Sequence, residues 1–247
     1  MPTKYGRQRA IASVNRELDK LRRIFNIAIQ QGWLTENPFK RGKSLISHAE
    51  ENQRERVLSR EEEVRLLAAI DAEPKRAHLK SIILIALDCG LRRGEITSLV
   101  FSDLDFVRRT INVRAFNSKT ARSRVVAMTN RVYANLRERF EESAQEPGQL
   151  VFGGIKSVRT SFAKACKAAS VSDFRFHDCR HTAITRMIRA GLPPVEVMRV
   201  SGHSTLSCLY RYSNLDSDTV FRAAAALDAF HAQTAEAQTT KETELIN

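Results

Sequence analysis

Apolar residues recur at three- and four-residue steps from Ile11 to Gln31 (Ile11, Val14, Leu18, Leu21, Phe25, Ala28, Ile29), with Arg16, Lys20, Arg22 and Arg23 on the polar sides. This spacing predicts an amphipathic helix, closed by Trp33, Leu34 and the Asn37-Pro38 turn. Residues 42–57 are polar, charged and aperiodic, the pattern of a linker. Ser59 with Glu62 three positions later forms a capping box that opens a helix through Ile70. The longest apolar run, Ile82 to Leu87, sits inside a second helix predicted over Leu79–Cys89 and stopped by Gly90.

The period then changes. Thr110–Arg114 and Arg124–Met128 are short β-type runs separated by the polar AFNSKTARS stretch, and they predict a small antiparallel hairpin. Helical spacing returns at about 130–142, 155–169, 178–190 and 194–200, the last two punctuated by Gly191 and Pro193-Pro194. An alanine-rich helix over Thr219–Ala232 precedes a polar tail at 236–247. The elements add up to a mainly α protein with a small antiparallel β-sheet.

Composition narrows the partner. The 247 residues carry 40 Lys+Arg against 28 Asp+Glu, a net charge of +12. Residues 1–212 hold 38 basic and 22 acidic side chains, whereas residues 213–247 hold 2 and 6. Such an excess points to a polyanion, nucleic acid first and an anionic membrane second. No apolar run approaches the length of a membrane span, and the polar start predicts a cytoplasmic protein. Cys89, Cys166, Cys179 and Cys208 stand far apart without a CxxC pair, as reduced thiols do.

Four segments carry candidate chemistry. In Cys89-Gly-Leu-Arg-Arg-Gly-Glu95, the planar fork of Arg92 suits two phosphate oxygens and Glu95, one turn on, can orient it; the plainer reading is a surface Arg–Glu pair. In Asn117–Arg124, Lys119 lies in the hairpin turn, where an ammonium can stand beside a leaving oxygen or simply touch a phosphate; Arg122 competes for that place. In His177-Asp-Cys-Arg-His181, His177 and Arg180 share a face near a helix start, where backbone N–H groups favour phosphate. His177 and His181 at i,i+4 also imitate a zinc motif, but Arg180 would bring its charge to the metal and no clear third ligand follows. In the fourth segment, Ser201-Gly-His203 leads to Tyr210-Arg-Tyr212. Here His203 reads as a turn residue or a donor, and Tyr212 as a packing residue or a nucleophile.

Together and in this order the four segments resemble the tyrosine recombinase (phage integrase) family over roughly residues 57–235. The 11–39 helix with its GWLTENPF ending is similar to the end of that family's core-binding domain. The resemblance implies a partial core-binding region at 1–41, a linker at 42–57 and a catalytic domain at 58–235. It implies Tyr212 as the nucleophile and Arg92 and Arg180 as phosphate clamps. It further implies His203 as a donor to the transition state, Lys119 as general acid for the 5′-oxygen and His177 as a proton carrier for the tyrosine. Leu209 replaces a threonine and Cys179 an aliphatic residue common in the family.

The reaction so implied is site-specific exchange of DNA strands through a 3′-phosphotyrosyl intermediate and a Holliday junction, with no cofactor and no metal. The implied partners are double-stranded DNA and a homotetramer on paired sites, with no membrane and no small-molecule substrate. Type IB topoisomerase-like relaxation or end resolution and a non-enzymatic DNA-binding protein are the alternatives. The region before the linker is shorter than a full core-binding domain, as in a fragment, a truncated gene or a minimal form. The helix after Tyr212 packs either on a neighbouring subunit or on its own domain.

Overall fold

The computed structural model describes residues 9–41, 44–47, 54–115, 123–144, 146–155, 157–209, Tyr212 and positions 224, 225, 227 and 228. Its contacts divide the chain into Met1–Glu55 and Arg56–Asn247. Lys119, Arg122, Tyr210 and most of the predicted 219–232 helix lie outside the described residues.

In the first unit the periodic segment forms α1 (Ile11–Gln30). A short 3-10 turn follows at Pro38–Lys40, where the Asn37 side chain accepts the Phe39 N–H and donates to the Arg22 carbonyl and to Asn26 Oδ1. Asn15 likewise donates to the Ser47 carbonyl at 2.8 Å. These two asparagines, not the apolar stripe, are the buried residues among those described in this unit. Polar anchoring of the returning chain therefore fixes α1, while Leu21, Ile24 and Ile27 remain exposed.

The second unit is built around α3 (Ala77–Asp88), whose Leu79 and every residue from Ser81 to Leu87 are buried. A helix that is apolar all round must be enclosed. Packed on it are α2 (Arg60–Asp71), α4 (Arg93–Thr97), α5 (Asn130–Glu141) and α7 (Phe176–Arg189). The capping box at Ser59 and Glu62 is present with both hydrogen bonds. Around the α3 rim, the buried Glu63 carboxylate pairs with Arg131 at 2.5 Å and Arg186 at 2.6 Å, and Arg131 Nε reaches Asp88 at 2.6 Å. This ionic chain ties α2, α3, α5 and α7 together at one end.

The predicted hairpin gains a third strand. β1 (Leu104–Asp105), β2 (Thr110–Val113) and β3 (Arg124–Ala127) form an antiparallel sheet in that order, with Ile111 opposite Val126 and Val113 opposite Arg124. Ile111, Val113 and Val126 face the core while Asn112 and Val125 face out, the alternation a half-buried sheet requires. α6 (Arg159–Ala168) starts four residues later than its periodicity suggests. α7 starts earlier, at Phe176, because the Asp178 carboxylate accepts the Arg175 N–H at 2.7 Å and closes its first turn. α8 (Pro194–Ser201) ends at Gly202 in the left-handed conformation. No helix among the described residues is long and apolar enough to cross a membrane.

Ile83→Ala, at the fully buried centre of α3, is expected to lower unfolding free energy by about 2–5 kcal/mol, read from the midpoint of a urea titration.

Candidate active site

Three chain turns supply the site. The first is Gly90–Arg92, between α3 and α4. Gly90 adopts a φ of 65°, a conformation that suits glycine, and its carbonyl accepts Arg180 Nη1 from α7 at 2.6 Å. The second is the C-terminal cap of α8, where the Gly202 carbonyl accepts Arg92 Nη2 at 3.1 Å. The third is the start of α7, which carries His177, Arg180 and His181.

Glu95 organises the first two. Its carboxylate accepts the Arg92 N–H at 2.8 Å and Arg92 Nη1 at 3.0 Å, so the predicted Arg92–Glu95 contact is present. It also takes a bidentate pair from Arg124 at 3.0 and 2.8 Å. Arg124 Nε donates in addition to the Val200 carbonyl at 2.8 Å. Burial of the Glu95 carboxyl opposes its ionisation. The Arg124 hydrogen bonds, the Arg92 amide and the charges of both arginines outweigh that cost and hold it below the usual carboxylate range. Arg124 stands at the head of β3 inside a motif the sequence singles out, yet nothing local reveals its partner 29 positions away.

Arg180 is buried, with 3% of its surface exposed. Burial, followed by the nearby Arg92 charge, pulls its pKa down to about 10, so it stays cationic at neutral pH. Its Nη2 lies 3.4 Å from His203 Nε2, and His203 Nδ1 lies 2.7 Å from the buried Ser201 Oγ. A guanidinium only donates. The Arg180 contact therefore makes Nε2 the acceptor and leaves the neutral His203 proton on Nδ1, directed at Ser201.

Tyr212 is half-buried against the apolar cluster of Ile184, Val197 and Leu209, and its N–H donates to the Leu209 carbonyl at 2.9 Å. Its hydroxyl is hydrogen-bonded to His181 Nδ1. The structure thus brings Arg92, Arg180 and His203 into one set and joins Tyr212 to the residue that follows Arg180. His177, three positions before Arg180 on α7, is exposed, with its ring edge-on to that of His181 at 5.0 Å. Positions three apart on a helix are still offset by about 60°, enough for Arg180 to turn inward and His177 outward. Asp178 is engaged in capping α7, and among the described residues no group of three His, Cys, Asp or Glu is placed to hold a metal. Sequence spacing marks His181 only as half of a zinc-like pair; its tyrosine contact lies 31 positions away and has no local signal.

The phage integrase family model matches residues 56–218. The integrase of Salmonella phage P22 is 28% identical over 165 residues, covering 61% of this chain and 43% of that protein. A putative integrase/recombinase of Haemophilus influenzae is 30% identical over 208 residues, covering 80% of this chain and 64% of its own length. The chain thus spans about half to two thirds of the length of these relatives. Among solved structures, the Tn1549 transposon integrase in complex with circular intermediate DNA superposes with a TM-score of 0.72. It is 23% identical and covers 86% of this chain and 79% of that chain.

A Cβ on Gly202 would stand 2.8 Å from Arg124 Nη1, at a φ of 69°. Gly202→Ala is expected to cost about 1–3 kcal/mol from backbone strain and to displace the Arg124 guanidinium, read as a fall in the thermal midpoint. Because the folded-state Glu95 pKa is depressed, its stabilisation is complete above the usual carboxylate range and is lost as pH falls from that range through the lowered folded-state value. Glu95→Gln is expected to lower stability by about 1–3 kcal/mol at neutral pH and to weaken the acid-side decline, measured by urea titrations between about pH 7 and pH 3.

Proposed function

The chain belongs to the phage integrase family, and on that premise we propose that it cleaves and rejoins duplex DNA at specific sites through a covalent phosphotyrosine at Tyr212. The observation that carries this reading is the meeting of Arg92, Arg180 and His203 around two glycine carbonyls, with Tyr212 held beside the same helix turn. Two fixed guanidinium forks and an imidazole are what the nonbridging oxygens of a phosphodiester require in transition.

The Tyr212 hydroxyl gives up its proton with the help of His177, the proton carrier of the family motif, and its oxygen attacks phosphorus in line, forming the P–O bond of a 3′-phosphotyrosyl enzyme as the bond to the 5′-oxygen breaks. Arg92 and Arg180 neutralise the developing charge. His203, anchored through Nδ1 by Ser201, donates from Nε2 once that atom carries a proton. Lys119, assigned from the family motif, delivers the proton that the departing 5′-oxygen takes up. The phosphodiester energy stays in the covalent bond, so a 5′-hydroxyl from another strand reverses the step and the result is strand exchange.

The partners of this reading are double-stranded DNA and three further copies of the chain, which pair two sites through a Holliday junction in the cytoplasm. The basic excess ahead of Tyr212 supports backbone contact with DNA without specifying sequence.

The test is covalent capture on a pool of nicked suicide duplexes randomised around the nick. Wild-type protein and Tyr210→Phe are expected to yield a protein–DNA adduct that survives denaturation, and Tyr212→Phe none. An adduct lost in Tyr210→Phe but kept in Tyr212→Phe moves the nucleophile, and no adduct from any variant removes the enzymatic reading. Recombination between paired copies of the captured site separates strand exchange from relaxation.

A further inference from the structure

We propose that Arg124 is a positioning residue for Arg92: by matching the charge of the Glu95 carboxylate that both bind, it leaves the Arg92 guanidinium able to attract the scissile phosphate. The inference rests on the reading of Arg92 as a phosphate clamp and names what keeps that clamp positive. Arg92 and Glu95 on their own form a neutral pair, with Nη1 and Oε1 3.0 Å apart. Such a pair draws an anion weakly, because the carboxylate repels what the guanidinium attracts. Arg124 sets a second cation on the same carboxylate, 3.0 Å from Oε1 and 2.8 Å from Oε2. The three groups together then carry a net positive charge.

Exposure decides which arginine meets the phosphate. The Arg92 side chain is 44% exposed, whereas those of Glu95 and Arg124 are 9% and 12% exposed. Arg124 is enclosed behind the carboxylate, with its Nε on the Val200 carbonyl at 2.8 Å. Its charge therefore acts on an incoming phosphate through Glu95 and not by contact. Burial keeps water and salt from screening the Arg124–Glu95 pair, and the bidentate fork fixes the plane of the carboxylate. Burial pushes the Glu95 carboxyl up, and the Arg124 hydrogen bonds are the largest influence bringing it below the ordinary range. So held, the carboxylate offers Oε1 to Arg92 Nη1 and Oε2 to the Arg92 amide. Arg92 Nη2 turns to the Gly202 carbonyl, in the cap that lies against the Arg124 guanidinium.

Arg124 also braces the fold, since its bonds to Glu95 and Val200 join β3 to α4 and α8. Bracing and charge matching make different demands. A brace needs the planar fork whatever the charge at position 95. Charge matching needs a cation at position 124, and only while position 95 holds an anion.

The test uses the full chain and a nicked duplex recovered by the wild-type protein from the randomised pool, with adduct formation timed at saturating DNA. Arg124→Gln is expected to lower the thermal midpoint and to slow adduct formation by about 10- to 100-fold. Its DNA affinity is expected to be nearly unchanged, because that rests on many backbone phosphates. Arg124→Lys, which keeps the charge and loses the fork, is expected to slow the reaction by about threefold or less. In a Glu95→Gln background, Arg124→Gln is expected to change the rate by about threefold or less, since no carboxylate charge is left to match. An Arg124→Gln protein as fast as wild type overturns the inference. So does an equal loss with glutamate or glutamine at position 95, or a Lys variant as slow as the Gln variant, for Arg124 would then be a brace alone. If Arg124→Gln does not fold, the Lys variant decides: a loss beyond about threefold counts against the inference. No adduct from wild type, or an adduct from Tyr212→Phe, sinks the strand-cleavage reading and this inference with it; a failure confined to Arg124 leaves that reading standing.

Discussion

One carboxylate holds the site together. Glu95 binds Arg92 at the start of α4 and Arg124 at the head of β3, and through those arginines it reaches Gly202 and Val200 at the end of α8. Burying an acid is unfavourable unless its charge is matched and its lone pairs are filled. Two guanidinium groups and a backbone amide do both. Helix, sheet and cap, far apart in the chain, are thereby fixed in one geometry, and the loop that presents His203 is fixed with them.

The parts of this architecture that depend on near neighbours were readable in the sequence. The capping box at Ser59, the buried α3 and the two longer strands follow from periods and caps within a dozen residues. Their ends shift where a single cap intervenes, as at Asp178, which draws the start of α7 back to Phe176. The two-residue β1 carries too few positions to show a period. The site divides the same way. The four motifs place Arg92, Arg180, His203 and Tyr212 by type and spacing, and the structure joins them. What spacing does not encode is which of two histidines one turn apart meets a tyrosine on a later segment. That choice depends on how α7 and α8 cross, a property of packing.

The basic composition also takes on structure. Arg124, Arg131 and Arg186 are spent inside the second unit on Glu95, Glu63 and Asp88. Charges that look alike in a net sum are therefore of two kinds: those consumed in joining helices, and those such as Arg93 that remain on the surface. Replacing one of the first kind disturbs folding before it disturbs any encounter with a polyanion.

Arg92 and Arg180 each donate to a protein carbonyl, Gly202 in one case and Gly90 in the other. A free arginine side chain loses up to about 2 kcal/mol of rotamer entropy when it is immobilised. Here that ordering accompanies folding, so under the proposed function a phosphate would meet guanidinium groups whose torsions are already chosen. Recognition of that kind would resemble a key entering a cut lock more than a hand closing, with the ordering cost of binding left to the ligand.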